Sequence, residues 1–294
     1  MAHSSFVQIG DSAAPPAKTR SWQERLAALR AELAALGRVV VAYSGGVDSS
    51  LLLRVAHEVL GKRALGVIGR SDSYAARELE LALEQAAAFG ARVEIVSTGE
   101  LADPTFRSNP TTRCYHCKSQ LYGELQAVAT RLGATILDGT IADDIADWRP
   151  GRRAAEECGV RSPLARLGFT KADVRAAATH YGLASRDKPA SPCLASRIPY
   201  GIEITREVLH MVEEAEALLR SLGFAELRVR HDGTTARIEV PVGEIGRFAD
   251  PAVRMQVVAG LKSLGYRRIT LDLEGFRSGS LNEDVAGPKG PEGH

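Results

Sequence analysis

Apolar residues along this chain keep switching between a helical period and short unbroken runs. Leu26, Leu29, Leu33 and Leu36 fall three and four residues apart, the spacing of one helix face. That helix opens at Ser21-Trp-Gln-Glu24, which has the form of a capping box, and stops at Gly37. The run Val39–Ala42 follows and reads as a strand buried on both faces. The alternation then repeats. It gives a helix over Ser49–Leu60 ended by Gly61, a strand near Ala64–Ile68, and an Ala/Leu/Glu helix over Ala75–Phe89 ended by Gly90. A strand at Val93–Val96, a helix over Lys118–Leu132 ended by Gly133, and a strand at Thr135–Leu137 complete the series. A second capping signature, Thr170-Lys-Ala-Asp173, opens a helix that reaches Tyr181. Strand and helix in alternation predict an α/β fold, a parallel sheet covered by helices on both faces. In such sheets ligands sit at the carboxyl ends of the strands.

After Pro199 the pattern changes. A helix over Glu207–Leu222, strands at Glu226–Arg230 and Thr235–Val240, a helix over Pro251–Leu264 and a strand at Arg268–Leu273 predict a small α+β unit. The expected organisation is a polar tail at 1–20, an α/β domain at 21–199, a small domain at 200–282 and a Gly/Pro-rich disordered tail at 283–294.

Composition narrows the function. The chain has 294 residues, 45% hydrophobic and 25% charged, with a net charge of +1. Such a balance gives no broad field for nucleic acid or a membrane surface, and no apolar run is long enough to span a bilayer. The start of the chain lacks the apolar core of a secretory signal, so a reducing, cytoplasmic setting is expected for its four cysteines. There, cysteine spacing points to metal or catalysis more than to disulfides.

The segment between the first strand and its helix is Ser44-Gly-Gly-Val-Asp-Ser49. A strand feeding a glycine turn at a helix N-terminus exposes a nest of backbone N–H groups, and the helix dipole adds positive potential there. Gly45 and Gly46 let the backbone approach a bulky anion, so the ligand is expected to be a phosphate or pyrophosphate held by the N–H groups of Gly45, Gly46, Val47, Asp48 and Ser49. The Gly-Lys-Ser/Thr ending of the common P-loop is missing.

Three further groups carry potential chemistry. Cys114 and Cys117 have the spacing of a chelating pair in a loop, and Cys193 lies in the proline-interrupted segment Ser191-Pro-Cys-Leu-Ala-Ser-Arg197. These thiols suit an iron–sulfur cluster with one open iron, or zinc with His116 as fourth ligand; a reactive thiol and inert packing are the alternatives. Cys158, in an Ala/Glu helix before a glycine, reads as a packing residue. The second group is Leu137-Asp-Gly-Thr-Ile-Ala-Asp-Asp144 followed by Asp147-Trp-Arg149, carboxylates at a strand end that suit Mg²⁺ and nucleotide. The third is basic: Arg197, Lys118, and Arg228 with Arg230, which alternate onto one strand face. They suit phosphate or carboxylate groups, with Glu216 and Glu239 either supporting the arginines or binding a cation. His57, His180 and His210 fall in helical stretches and read as surface or packing residues.

Taken together, SGGVDS, Arg77-Glu78, RCYHCK at 113–118, DGTIADD at 138–144, RPG at 149–151, SPLA at 162–165, KPASPCLASRIPYG at 188–201 and LDLEGFRSGSLN at 271–282 resemble the LarE-type ATP-dependent sulfur transferases. The resemblance runs over about 21–282, and the PCLASR and LDLEGFRSGS strings are its most specific parts. It implies a Rossmann-like pyrophosphate-loop ATPase of the adenine nucleotide α-hydrolase type. It also implies a place in making the nickel-pincer nucleotide, the cofactor of lactate racemase. The implied substrate is a small molecule, a pyridinium mononucleotide with two carboxylates. ATP adenylates each in turn, and sulfur displaces AMP to leave a thiocarboxylate.

In one branch of that family a single cysteine, at the position of Cys193, gives up its own sulfur. In the other a cysteine triad holds a [4Fe–4S] cluster that carries an extra sulfide. Cysteines at all three positions, Cys114, Cys117 and Cys193, imply the cluster branch. The resemblance further implies Mg²⁺ at Asp48 and Asp144, and nucleotide at Ser44–Ser49 and Gly139. It implies substrate anions at Lys118, Arg197, Arg228 and Arg230, and a second cation site at Glu216 and Glu239. A homo-oligomer, of the hexameric kind found in the family, and a sulfide-supplying protein are the implied partners. Ile141 stands where the family often has asparagine. The rival readings are a tRNA thiolase, which needs a wide basic surface, and an ammonia-dependent synthetase, which needs no cysteine triad.

Overall fold

The computed structural model of the protein describes residues 20–145, 150–189 and 191–277. The expected tails at 1–19 and 283–294 therefore lie outside the described residues, as do Asp147, Trp148 and Arg149 of the acidic loop and 278–282 of the last string.

The first part of the chain lays down α1 (Trp22–Leu36), β1 (Val39–Ala42), α2 (Val47–Leu60), β2 (Ala64–Arg70), α3 (Ala76–Ala88) and β3 (Arg92–Ser97). Then come α4 (Pro104–Arg107), α5 (Arg113–Leu132), β4 (Thr135–Leu137), α6 (Pro150–Glu157), α7 (Pro163–Arg166) and α8 (Lys171–His180). The capping box of α1 forms as read: Ser21 Oγ accepts from the Glu24 N–H at 3.3 Å, and Glu24 Oε2 accepts from the Ser21 N–H at 2.7 Å. Helix α5 starts five residues before the expected Lys118, because its first turn winds directly from the Pro110 carbonyl, which accepts from the Arg113 N–H. The Cys-Tyr-His-Cys segment thus sits at the beginning of a helix and not in a loop.

The four strands are parallel in the order β3-β2-β1-β4. Alternate residues of β1 feed two cores. Val39 and Val41 meet Leu29, Leu51 and Val174 on one face, while Val40 meets Tyr122, Leu125 and Ile136 on the other. The chain runs outward from β1 through β2 and β3, then returns to the opposite side of β1 with β4. That reversal is a topological switch point, and the loops leaving β1 and β4 flank it.

The second sheet has the order β5-β6-β7, from β5 (Arg228–Asp232), β6 (Thr235–Glu239) and β7 (Arg268–Leu271). It packs against α9 (Arg206–Ser221) and α10 (Pro251–Ser263) around Leu219, Phe224, Val257 and Leu261. Strand β5 sits two residues later than expected, because its antiparallel pairing with β6 continues to Asp232–Thr235 at the Gly233 turn.

Buried charge joins this sheet and its helix to the turn Leu194–Arg197. Arg197 is 2% exposed and forks onto Glu216 of α9, Nε–Oε1 2.8 Å and Nη2–Oε2 3.1 Å. Arg220 adds a third contact to Glu216 at 2.8 Å. Arg230 forks in the same way onto Glu239, both distances 2.9 Å, and donates to the Ser196 carbonyl at 2.8 Å. Burial works against the Glu216 carboxylate, but Arg197 and Arg220 outweigh it and hold its pKa below the usual value of 4.5. Stability from this group is therefore full above that value and is lost as pH falls through the lower folded value. Replacing Glu216 by Gln leaves Arg197 buried without its counter-charge, and the expected loss is about 3–5 kcal/mol in urea unfolding at neutral pH. The wild-type advantage should shrink as pH drops below 4; a gap that stays constant into acid would contradict this role.

Candidate functional site

The turn after β1 is built for close approach. Gly45 has φ +69°, and a Cβ there would lie 2.6 Å from the Ala82 Cβ of α3. Gly46 is the N-cap of α2, and among the described residues no side chain caps it. The first-turn N–H groups of α2 are thus left for an outside acceptor. Ser49 Oγ accepts from the Ser44 N–H at 3.2 Å and contacts the Gly46 carbonyl and Ser44 Oγ, closing the turn on itself. From behind, Tyr74 donates to the Ser44 carbonyl and Tyr43 to the Ala82 carbonyl, each at 2.9 Å.

The loop after β4 presses against this turn. A Cβ on Gly139 would stand 2.8 Å from Ser49 N and 3.0 Å from Ser49 Cα, so only glycine lets the two backbones meet. Asp138 accepts from the Thr140 N–H and hydroxyl, and Asp144 Oδ2 accepts from the Ile141 N–H at 3.2 Å. Ile141 itself is buried in the core, and its contribution to Asp144 is a backbone bond open to any residue but proline.

A cavity of about 470 Å³ opens between these loops. Its wall holds Ser44, Gly46, Asp48, Ser49, Gly139 and Asp144 together with Cys114, Lys118, Tyr122 and Asp138. Sequence-predicted groups from three separate strings therefore share one chamber at the switch point. Gly45 faces a second cavity of about 730 Å³, which it shares with Arg77, Lys188, Ser191, Arg220 and Arg228. Val47 is buried in the core, so only its backbone is available to the turn.

The cysteines approach from two elements. Cys114 and Cys117 lie in the opening turns of α5, and Cys193 precedes the turn Leu194–Arg197. Asn109 holds the two together. It is fully buried with φ +53°, and its Nδ2 lies 3.3, 2.7 and 3.0 Å from the carbonyls of Ile198, Pro199 and Ile202. Arg113 adds bonds to Asn109 Oδ1 and, at 2.8 Å, to the Ala195 carbonyl. Cys193 is fixed on both sides: Arg197 donates to its carbonyl at 3.1 Å, and the Leu194 N–H donates to the Ser73 carbonyl at 2.8 Å.

The recess around Cys114 desolvates its thiol and pushes its pKa up, and the nearby Cys193 adds to the effect. Burial, Cys193 and Glu100 push Cys117 well above the usual value, and Cys117 Sγ donates to Glu100 Oε1 at 3.3 Å. Among the described residues no three His, Cys, Asp or Glu side chains converge as ligands of one metal ion, and His116 faces Asp103 at 3.9 Å. Cysteines on separate irons of a cluster need no common centre.

The basic residues divide. Arg197 and Arg230 spend their forks on Glu216 and Glu239, so the cations facing these two carboxylates here are guanidinium groups. Arg237 also reaches Glu239, at 3.0 Å. Arg228 lies over the Phe276 ring, 4.8 Å from its centroid. Burial and the neighbouring arginines bring its pKa down to about 10, low for a guanidinium though still charged at neutral pH. Lys118 extends over the Tyr122 ring at 5.8 Å.

Sequence reasoning gave no role to Asn109, Arg113, Tyr74 and Lys171. The Asn-Pro dipeptide at 109–110 was the available signal for the first, and the capping box at 170–173 hid the last.

A parallel α/β sheet with an uncapped glycine turn at its switch point defines a pyrophosphate-loop enzyme of the Rossmann-like kind. No family model matches the chain. Its sequence is 41% identical over 261 residues to the pyridinium-3,5-bisthiocarboxylic acid mononucleotide synthase of Lactiplantibacillus plantarum, covering 88% of this chain and 94% of that one. The chain belongs to this LarE-type family of synthases and is an enzyme. It is also 45% identical over 261 residues to an uncharacterized Synechocystis protein, covering 88% of this chain and 97% of that one. An uncharacterized protein of Methanocaldococcus jannaschii is 26% identical over 242 residues, 82% of this chain and 91% of that one. Among the described residues no helix is long and apolar enough to cross a membrane.

Two substitutions test the geometry. Gly139→Ala should force the loop off α2 and cost about 1–3 kcal/mol of stability in urea unfolding; unchanged stability would contradict the close-approach argument. Asn109→Ala should leave the chain folded but release the Cys193 loop. Alkylation of Cys193 by iodoacetamide, followed by mass spectrometry, should speed up while Cys158 is unaffected; equal Cys193 rates would show that Asn109 is not the clamp.

Proposed function

We propose that this enzyme is an ATP-dependent sulfur transferase that converts the carboxylates of a pyridinium biscarboxylate mononucleotide to thiocarboxylates, in the biosynthesis of a nickel-pincer cofactor. The observation that carries the reading is that Cys114 shares one cavity with the uncapped turn and with Asp48 and Asp144. The name of the Lactiplantibacillus relative supports the substrate class. The α/β unit is assigned to residues 21–199 and a small substrate or oligomerisation unit to 200–282.

The chemistry follows from what each group can do. A carboxylate is a poor electrophile because its delocalised negative charge repels a nucleophile and oxide is not a workable leaving group. The N–H groups of Gly45–Ser49 hold the pyrophosphate end of ATP, with the Ser44 and Ser49 hydroxyls beside them. Asp48 and Asp144 are the residues that would hold Mg²⁺, and the ion would offset phosphate charge. A substrate carboxylate oxygen attacks the α-phosphorus and pyrophosphate leaves. A sulfur nucleophile then attacks the acyl carbon, and AMP leaves with the original carboxylate oxygen. Lys118 and Arg228 are the cations for the substrate's own anions, while Arg197 and Arg230 shape the site through Glu216 and Glu239. Holding both reactants beside the cysteines supplies the positioning advantage.

Three cysteines presented from two clamped elements suit a [4Fe–4S] cluster. Such a cluster, held by Cys114, Cys117 and Cys193, supplies an iron without a protein ligand that can carry the sulfide to be transferred. The chain's own contribution is to hold the three thiols beside the acyl adenylate.

Oxygen-free purification should give about four irons per chain, lost in Cys114→Ser, Cys117→Ser and Cys193→Ser alike. Cys193→Ala should still release pyrophosphate from ATP and substrate but form no thiocarboxylate. An iron-free wild type whose Cys193 becomes lighter by one H₂S after turnover would move the sulfur source to Cys193 itself. Thiocarboxylate formed over many turnovers by Cys193→Ala would overturn the role of this cysteine.

A further inference from the structure

Arg113 is a buried cation held by neutral partners. It is 3% exposed, and its Nη1 donates to Asn109 Oδ1 and, at 2.8 Å, to the Ala195 carbonyl. Its guanidinium lies over the Tyr200 ring, 5.3 Å from the centroid. Among the described residues no carboxylate forms an ion pair with it, and its buried Nε has no hydrogen-bond acceptor. A guanidinium buried without a counter-charge is costly, and the ring of Tyr200 offsets only part of that cost.

Its place in the helix adds to the cost. Arg113 is the first residue of α5, and the N-cap Thr112 makes no side-chain cap bond. A helix N-terminus carries partial positive charge, so a cation there meets charge of its own sign. Both positive features adjoin the cysteines. Cys114 follows Arg113 directly, Cys117 stands three residues further along the same helix, and the Ala195 carbonyl held by Arg113 lies two residues beyond Cys193. The guanidinium neighbours the Cys114 thiol, and Tyr200 neighbours Arg113, Cys114 and Cys193 alike. Glu100, the buried carboxylate of this region, accepts from Cys117 and forms no ion pair with Arg113.

We infer that Arg113 is the counter-charge of the anionic centre formed at Cys114, Cys117 and Cys193, a positioning residue that acts through the cysteines and not on the substrate. This rests on the cluster reading above. A [4Fe–4S]²⁺ core held by three thiolates is net negative, and a sulfide on the open iron adds to that charge. A fixed guanidinium beside the thiolates offsets part of it. The same side chain thus clamps the Cys193 loop and supplies positive charge where that loop meets α5. Negative charge at such a centre makes the addition of an electron harder, so the guanidinium holds the reduction potential up.

The full chain tests this without turnover. Wild type, Arg113→Gln and Arg113→Lys, purified without oxygen, are compared by iron content and by a redox titration followed by electron paramagnetic resonance. Arg113→Gln should move the midpoint to a more negative potential by about 59 mV or more, a tenfold change in the equilibrium constant of a one-electron couple. Arg113→Lys, which keeps the charge without the fork, should recover most of the shift; a purely structural clamp would not order the variants by charge. Thermal melts of the iron-free chains check that each is folded. An Arg113→Gln chain that melts like wild type but holds no iron, beside an Arg113→Lys chain that holds it, would support the same role at the stage of assembly. Equal iron with an equal or more positive potential in Arg113→Gln would overturn the counter-charge role. So would an Arg113→Lys chain that behaves like Arg113→Gln, or an Arg113→Gln chain that is unfolded without iron. A wild type that binds no iron would overturn the cluster reading and this inference together.

Discussion

Backbone meets backbone at Gly139 and Ser49, and the site depends on that contact. The loops after β1 and β4 leave neighbouring parallel strands, and the missing side chain at Gly139 lets them touch. Their contact brings the uncapped turn of α2 beside Asp138, Thr140 and Asp144. A larger residue would separate the N–H nest from the carboxylates, and neither alone handles a magnesium nucleotide. The hydrophobic sandwich around β1 supports this arrangement. Val39 and Val41 on one face and Val40 on the other hold β1 in the sheet, so the turn at its end has a fixed origin.

A second constraint ties the sulfur chemistry to that turn. Asn109 and Arg113 use side-chain donors to hold the carbonyls of 195–202, a stretch with no strand partner for them. Beyond it, Arg197 and Arg230 are anchored by buried carboxylates of the small sheet and its helix. The Cys193 loop is thus gripped between two layers, by neutral amide bonds on one side and charged forks on the other. Charged forks that stay buried demand their partners, so the small sheet cannot shift without exposing them. This makes the small sheet part of what positions the Cys193 loop.

Much of this was legible in the sequence. The alternation of helical and unbroken apolar spacing revealed the parallel sheet, and the glycines after Val39–Ala42 revealed the turn that opens α2. Both are local patterns with a physical cause within a few residues. The helical start of α5 was not legible, because Cys-Tyr-His-Cys carries no capping signal and the helix winds from Pro110 instead. The sequence left open whether Glu216 and Glu239 support Arg197 and Arg230 or bind a cation, because an arginine looks the same whether it awaits a phosphate or a carboxylate from another element. Only tertiary structure brings Glu216 and Glu239 against them. Lys171, whose Nζ lies 2.8 and 2.7 Å from the two oxygens of Asp48, was overlooked because its neighbours explain themselves as a helix cap, and Asp48 is far away in sequence.

The central claim is that a substrate carboxylate is activated by ATP in the cavity that also presents Cys114. Isotope transfer tests it directly. The pyridinium biscarboxylate mononucleotide would be labelled with ¹⁸O in its carboxylates and turned over with MgATP, without oxygen, in unlabelled water. The account predicts one ¹⁸O in AMP for every carboxylate converted to thiocarboxylate. Unlabelled AMP, or ADP and phosphate in its place, would contradict adenylation of the carboxylate and with it the function proposed for the loop.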